Sequence, residues 1–482
     1  MKAHRRTAIT LWSCLSLAVL LAAPLAAQTR AAYSSTPAAD RYADAIERAR
    51  LIMQAVSDRA QTPGISAAVG VNSEVIWAEG FGLADLEHGI GVWPETRFRI
   101  GSVSKPYTAA AVGLLVQQGR LELDAPVQQY VPSFPQKRWP VTTRQLAGHL
   151  AGVRHYDGEE FLSAKLYETV LEGLEIFQDD TLLFEPGTRY SYSSYAWNLI
   201  SAVVEGASGQ QFLAYMQEMV FDPLGMTNTV ADYNDSIIPH RARPYMTTPH
   251  GVVNAPYVDN SYKWAGGGFL STPTDMVRFG MGHIRGGFLS DETLEILWTS
   301  QRRNDGEETG YGIGWSVGAD RDGRRLVSHG GGSIGGTTFL LLFPDDGVVV
   351  SIVGNARAPM SPGLAWTLAE PFLAPITAAA LDASVPSLAG DWACSMKRRG
   401  EEVAAAHVAL AGEPGDYWGQ ISIEDDDFQI AFQSSSGSQT RLIALNGGGR
   451  ILNIWLSPVE SGVEGSWIGS GATGGDFACS RQ

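Results

Sequence analysis

Ile65-Ser66-Ala67-Ala68-Val69-Gly70-Val71-Asn72-Ser73-Glu74-Val75-Ile76-Trp77-Ala78-Glu79-Gly80-Phe81 reads as two short, apolar, β-branched strands joined by an Asn-Ser-Glu turn. Strand character of this kind then lapses and returns only late, over 312–317, 325–329, 337–343 and 348–353, with turn-rich 330–336 and 344–347 between the last three. Ahead of the hairpin, Ile46, Ala49, Met53 and Val56 recur at helical spacing within 40–60, and a second helix-like run covers 364–380. Between about 114 and 304 lie helical segments and loops punctuated by Pro132, Pro135, Pro186-Gly187, Pro223 and Gly266-Gly267-Gly268. Strands at both ends with helices between predict an α/β (α+β) fold: one antiparallel sheet built from the two chain ends, flanked by helices, with a helical insertion.

Beyond 385 the texture changes. Alternating runs over 407–410, 420–423, 428–432, 441–445 and 451–456, separated by Gly- and acid-rich turns, predict a small all-β domain over 386–482, after a main domain over 28–385. Residues 1–27 carry Lys2, Arg5 and Arg6, an apolar run over 8–21 interrupted by Trp12, Ser13, Cys14 and Ser16, and Leu25-Ala26-Ala27 at the end. This is the pattern of a cleaved signal peptide, so the expected location is secreted or periplasmic, with no stable membrane insertion after cleavage. Two cysteines then remain, Cys394 and Cys479, near the start and end of the β domain. Export permits a disulfide between them, while two buried thiols are the other reading. A formal charge of -16, spread along 482 residues, argues against nucleic acid and anionic membranes as partners. Oligomeric state is not written in the sequence.

Three short segments carry chemistry. Ser102-Val103-Ser104-Lys105 places a hydroxyl and an amine one helical turn apart where the pattern turns helical, and Pro106 fits only the first turn of a helix. Ser102 therefore sits at the helix N-terminus, where free N–H groups favour developing negative charge, with Lys105 able to take its proton. Tyr190-Ser191-Tyr192-Ser193-Ser194 follows the turn Glu185-Pro186-Gly187, and a phenol beside a lysine loses its proton more easily. Ser328-His329-Gly330-Gly331-Gly332 lies between strand-like runs, where glycines let a substrate backbone approach closely. Each pattern alone has a bland reading: a chance S-x-x-K, a half-buried tyrosine cluster, a glycine-rich hairpin.

Together, in this order, the three segments resemble the penicillin-recognising serine hydrolases, specifically the class C β-lactamase-like family, which includes D-aminopeptidases, carboxypeptidases and esterases. Phe98-Arg99-Ile100-Gly101-Ser102, Val141-Thr142-Thr143-Arg144-Gln145-Leu146, Phe221-Asp222-Pro223-Leu224-Gly225-Met226 and Gly266-Gly267-Gly268-Phe269-Leu270-Ser271-Thr272 extend the likeness over about 43–380. His149-Leu150-Ala151-Gly152-Val153-Arg154-His155-Tyr156 and the stretch from Tyr257 to Phe269 are most similar to the branch of serine β-lactamase-like proteins of animal mitochondria, regarded as peptidases. The resemblance implies Ser102 as nucleophile, Lys105 as its activator, Tyr192 as the base that later protonates the leaving group, and the N–H groups of Ser102 and Gly332 as oxyanion hole. It places His329 and Gly331 along the substrate site and likens the C-terminal domain to small lipocalin-like barrels, and Ser-Lys-Tyr acyl transfer requires no cofactor.

Two departures bear on substrate. Ser194 stands where β-lactamases of this class carry the Asn of Tyr-x-Asn, and His329-Gly330-Gly331 where they carry Lys-Thr-Gly. Both lean toward small peptides or esters, with peptidase expected first, esterase second and β-lactamase third. Gly331-Gly332-Ser333-Ile334-Gly335 also matches a G-x-S-x-G elbow, but that motif needs a helix after it and a strand-like run follows. His149 and His155 are read as packing or loop histidines, no H-E-x-x-H occurs, and a catalytically silent binding protein of the same fold is the alternative from another class.

Overall fold

The structure, a computed structural model, describes residues 30–31, 40–59, 62–320, 323–357, 362–373 and 386–481, apart from 399, 414–415, 437, 447–449, 461 and 470–473. The leader read over 1–27, the end of the run over 364–380 and the domain boundary near 385 lie outside the described residues.

The elements that frame the site are α1 (Ala43–Arg59), β1 (Gly64–Val71), β2 (Glu74–Asp85), α2 (Ser104–Gln117), α3 (Ser194–Ser208), α4 (Pro273–Ile284), β3 (Ser316–Ala319), β4 (Arg325–Ser333), β5 (Gly336–Phe343), β6 (Val348–Gly354) and α5 (Pro362–Ala369). The hairpin β1–β2 turns at Asn72 and Ser73, both at positive φ (48° and 76°), the geometry whose twist matches the flanking strands. The sheet order is Arg30–Ala31, β2, β1, β6, β5, β4, β3, with Ile90–Gly91 on β2. Every pairing is antiparallel, and the two chain ends meet where β1 pairs β6, Ile65 opposite Gly354 and Val71 opposite Val348. The first late strand begins at Ser316, later than the expected 312. A Cβ at Gly312 would lie 2.2 Å from the Leu297 carbonyl oxygen, and Gly314, at φ +76°, packs against Ala109 of α2, so 312–315 is held by helices.

Strand alternation explains why both sheet faces are covered. On β5, Leu340 and Leu342 face the core shared with α2, α3 and α4, whereas Phe339, Leu341 and Phe343 face a second core with Met53 and Val56 of α1 and Leu364 and Leu368 of α5.

The C-terminal domain is a closed barrel of eight antiparallel strands: β7 (Gly390–Arg398), β8 (Glu401–Glu413), β9 (Asp416–Ile423), β10 (Asp426–Ser436), β11 (Gln439–Asn446), β12 (Ile451–Val459), β13 (Gly462–Gly469) and β14 (Gly474–Arg481). Closure leaves no free sheet edge. Side chains including Trp392, Ile421, Leu442, Ile454 and Phe477 fill its interior. Cys394 and Cys479 face each other on β7 and β14 and are joined in a disulfide. Ile443, Leu445 and Ile451 turn outward onto the second core of the main domain. Beside them, Arg441 is wedged between Trp366 (4.4 Å) and Trp455 (5.2 Å) and paired with Glu370.

Candidate active site

Ser102 sits in a 3-10 turn, Gly101–Val103, that leads directly into α2. Strand β4 is pressed against this turn with no room for side chains. A Cβ at Gly331 would lie 2.0 Å from the Ile100 carbonyl oxygen, and one at Gly101, which is at φ +51°, would lie 2.4 Å from the Gly332 carbonyl oxygen. Two glycines therefore bring the β4 backbone beside the Ser102 hydroxyl.

Lys105, one turn into α2, has no exposed surface. Its Nζ is 3.1 Å from Ser102 Oγ, 3.1 Å from Ser194 Oγ and 2.7 Å from the Gly266 carbonyl oxygen. Burial, with the nearby charge of Lys263, drives its pKa well below the usual lysine range. The ammonium donates to all three oxygens, and on losing a proton it can keep its donors to Gly266 and Ser194 and turn its lone pair to the Ser102 hydroxyl.

Tyr192 is held by what precedes and follows it. The Ser193 N–H donates to His149 Nδ1 (3.1 Å), the Ser194 N–H donates to His155 Nδ1 (3.0 Å), and Ser193 Oγ caps α3 by accepting from the Ala196 N–H (3.1 Å). The His149 ring lies 4.2 Å from the Tyr192 ring, centre to centre, and Lys105 Nζ lies 4.9 Å from the centre of that ring. Because both Nδ1 atoms accept backbone protons, both imidazoles are neutral Nε2–H tautomers. Their pKa values fall accordingly, His155 to about 4, chiefly through burial. Burial raises the Tyr192 phenol, an interaction with the Ser102 hydroxyl offsetting part of the rise. The phenol therefore rests protonated, opposite in direction to the ease of ionisation that a charged lysine alone would give it, because burial outweighs the other influences on it.

A cleft of about 310 Å³ opens over these groups, lined by Ser102, Tyr192, Ser194 and Gly332 together with His155, Tyr156, Phe161, Lys263, Gly266 and Gly267. Of the residues singled out in the sequence, Ser102, Lys105, Tyr192, Ser194 and Gly332 come together here, with Gly331 behind the Ser102 turn. His329 lies beside them, buried and not among the cleft-lining residues: its Nδ1–H donates to the Gly330 carbonyl oxygen (2.7 Å) and its Nε2 accepts from the Tyr311 hydroxyl (2.8 Å), and burial lowers its pKa to about 3. Ser333 ends β4 and is followed by strand β5, not the helix an elbow nucleophile needs. Sequence reasoning missed His149 and His155 as the clamps on 193 and 194, and Lys263 as a cleft residue. Among the described residues no group of three or more His, Cys, Asp or Glu side chains could hold a metal ion.

An activated serine over an antiparallel sheet, with a buried lysine one turn on and a tyrosine from the helical insertion, defines a serine hydrolase of the β-lactamase and penicillin-binding protein class. The chain belongs to the β-lactamase family, whose pattern matches residues 49–371. It is 33% identical over 445 residues to the mitochondrial serine β-lactamase-like protein LACTB of Homo sapiens, covering 70% of this chain and 80% of that protein. It is 31% identical over 303 residues to the esterase EstB of Burkholderia gladioli, covering 55% of this chain and 76% of the esterase. The octameric penicillin-binding protein homologue from Pyrococcus abyssi shares the fold over 90% of this chain and 99% of its own, with a TM-score of 0.58 at 22% identity.

Proposed function

We propose that this chain is an exported hydrolase that cleaves small peptides through an acyl-enzyme on Ser102. The observation that carries the reading is the fully buried Lys105, its pKa driven down by burial, with its Nζ 3.1 Å from Ser102 Oγ. Lys105 takes the Ser102 proton as Oγ attacks the substrate carbonyl, and the N–H groups of Ser102 and Gly332 receive the oxyanion. When the tetrahedral intermediate collapses, the Tyr192 phenol gives its proton to the leaving nitrogen and recovers one from the Lys105 ammonium, which returns both groups to their resting states. Water then repeats the sequence in reverse on the acyl ester. No step calls on a cofactor.

Peptides are favoured over β-lactams because Ser194 has no amide to offer a substrate carbonyl and His329 brings no positive charge to the cleft. The esterase reading stands second, supported by the similarity to EstB. Export rests on the pattern of residues 1–27, and among the described residues no helix is long and apolar enough to cross a membrane. Intact-mass measurement after fluorophosphonate treatment tests the nucleophile: the adduct forms on wild type and on Ser333→Ala and is lost in Ser102→Ala. An adduct that persists in Ser102→Ala overturns the assignment. Turnover of dipeptides against acyl esters by the same preparation then orders the substrate classes, and the N-terminal mass of protein recovered from the periplasm reports cleavage of the leader.

A further inference from the structure

The proposed mechanism leaves one charged group in the cleft unused. Lys263 closes a short 3-10 turn, Ser261–Lys263, immediately before the helix Trp264–Gly267 whose Gly266 carbonyl accepts from Lys105. It lines the same cleft as Ser102, yet it is only 2% exposed and its Nζ has no hydrogen-bond partner. Aromatic faces surround the Nζ, with ring centres of Phe161 at 4.2 Å, Tyr262 at 5.1 Å and Tyr156 at 5.6 Å.

Such a cage stabilises an ammonium through the ring quadrupoles but leaves its three N–H donors unmet, a costly state for a buried cation. The carboxylates that act on it electrostatically are tied to other groups, and none hydrogen-bonds its Nζ, although Asp232 Oδ1 has only Arg241 at 3.7 Å. Asp232 pairs with Arg99 (2.7 Å) and accepts from Asn260 (2.7 Å), and Asp259 accepts from the Ser261 N–H (2.9 Å) and from Asn234 (3.0 Å). With His329 buried, neutral and bonded to Tyr311, Lys263 is the one amine among the described residues lining the cleft. A buried, unpaired cation at the edge of the cleft is completed by an anion arriving with the substrate, because a charge-assisted hydrogen bond gains strength as solvent is excluded.

We propose that Lys263 is the specificity anchor of this cleft, its ammonium binding a carboxylate carried by the substrate. The inference rests on the reading of the cleft as a hydrolase site and deepens it: the substrates are anionic, bearing the carboxylate either at a free C-terminus or on an acidic side chain. In keeping with this, burial and the like charge of Arg99 lower the Lys263 pKa to about 7, so an incoming carboxylate favours the charged form that binds it.

Calorimetric titration of the full-length Ser102→Ala protein tests the proposal without turnover. The probes are two matched pairs: N-acetyl-Ala-Ala with a free carboxylate against its carboxamide, and N-acetyl-Glu-amide against N-acetyl-Gln-amide. The carboxylate member of one pair is expected to bind about tenfold tighter or more, and the pair that shows it identifies the source of the anion. Adding Lys263→Met brings that ratio to about one, while Lys263→Arg keeps it above one. No carboxylate advantage in either pair, or an advantage that survives Lys263→Met, overturns the proposal, and the first of these results needs no variant at position 263. Fluorophosphonate labelling of the wild type, run in parallel, separates the two readings. Labelling without a carboxylate preference removes the anchor alone, whereas a preference without labelling removes the Ser102 nucleophile and leaves the anchor standing.

Discussion

In the proposed mechanism the proton inventory of three residues sets what the site does. Lys105 has to be neutral to act, and burial lowers its pKa well below the usual lysine range, so the acylation rate is expected to hold to lower pH than a free lysine would allow and to fall as acid protonates the amine. Lys105→Met removes the base, and fluorophosphonate labelling of Ser102 should slow by about 10²–10⁴-fold, read by stopped-time mass spectrometry. Tyr192→Phe is expected to split substrates by leaving group. An amide nitrogen needs the phenol proton and loses by a similar factor, whereas a p-nitrophenyl ester, whose leaving group departs unprotonated, loses far less; equal losses on both would take the acid role from Tyr192. Lys263 makes a separate prediction about stability. Its folded pKa, about 7, lies below the unfolded value of 10.5, so between these limits the unfolded chain binds more protons and stability rises with pH. Thermal melts between pH 7 and 10 should show part of that slope vanish in Lys263→Met. Ser102, Lys105 and Tyr192 were legible in the sequence because a hydroxyl and an amine three apart on a helix, followed by a tyrosine-rich turn, are local patterns. His149 and His155 were not, because their partners Ser193 and Ser194 lie 44 and 39 residues away and no spacing rule connects them.

Among the elements, β4 and the Ser102 turn form the contact on which the cleft depends. Gly331→Ala places a methyl against the Ile100 carbonyl, and that oxygen belongs to backbone that cannot swing aside. The strand must lift from the turn, carrying Gly332 with it. Labelling of Ser102 should drop by about tenfold or more while the sheet, whose β4–β5 pairing extends from Val327 to Ser333, still forms by circular dichroism. Gly332→Ala makes the contrast, since a Cβ there meets open space, and a loss restricted to Gly331→Ala locates the cause in the packing of the turn. The hairpin β1–β2 and strands β4 to β6 were legible because each alternates or runs apolar between turn residues. The start of β3 was misplaced because Gly312 and Gly314 are shaped by contacts with Leu297 and Ala109, which no local pattern announces. In the barrel, five strands were read and β7, β13 and β14 were not separately named. Glycines and charges dilute their alternation, and it is closure of β14 on β7 that makes them strands.

In the whole molecule, the barrel and the hydrolase share a core instead of merely adjoining. Ile443, Leu445 and Ile451 bury against the sheet face that also carries α1 and α5, and Arg441 stacks between Trp366 of α5 and Trp455 of β12. A core that belongs to both units should make them unfold together, because opening the barrel exposes apolar surface on the hydrolase side as well. The disulfide supplies a way to perturb one unit only. Cys394 and Cys479 are 85 residues apart, and a covalent loop of that length restricts the unfolded barrel by about 4.6 kcal/mol in the chain-entropy account, with about 2–4 kcal/mol typical of measured bonds. The double variant Cys394→Ser, Cys479→Ser is therefore expected to show a single calorimetric transition displaced to lower temperature by a few degrees. Below that transition, the rate of Ser102 labelling at 25 °C should match the wild type, since neither cysteine reaches the cleft. Two transitions, of which only the smaller moves, would mean that the contacts made by Arg441, Ile443 and Ile451 are too weak to couple the units. The barrel would then act as an appended module, and its loss in a truncated chain would leave the acyl-transfer site standing.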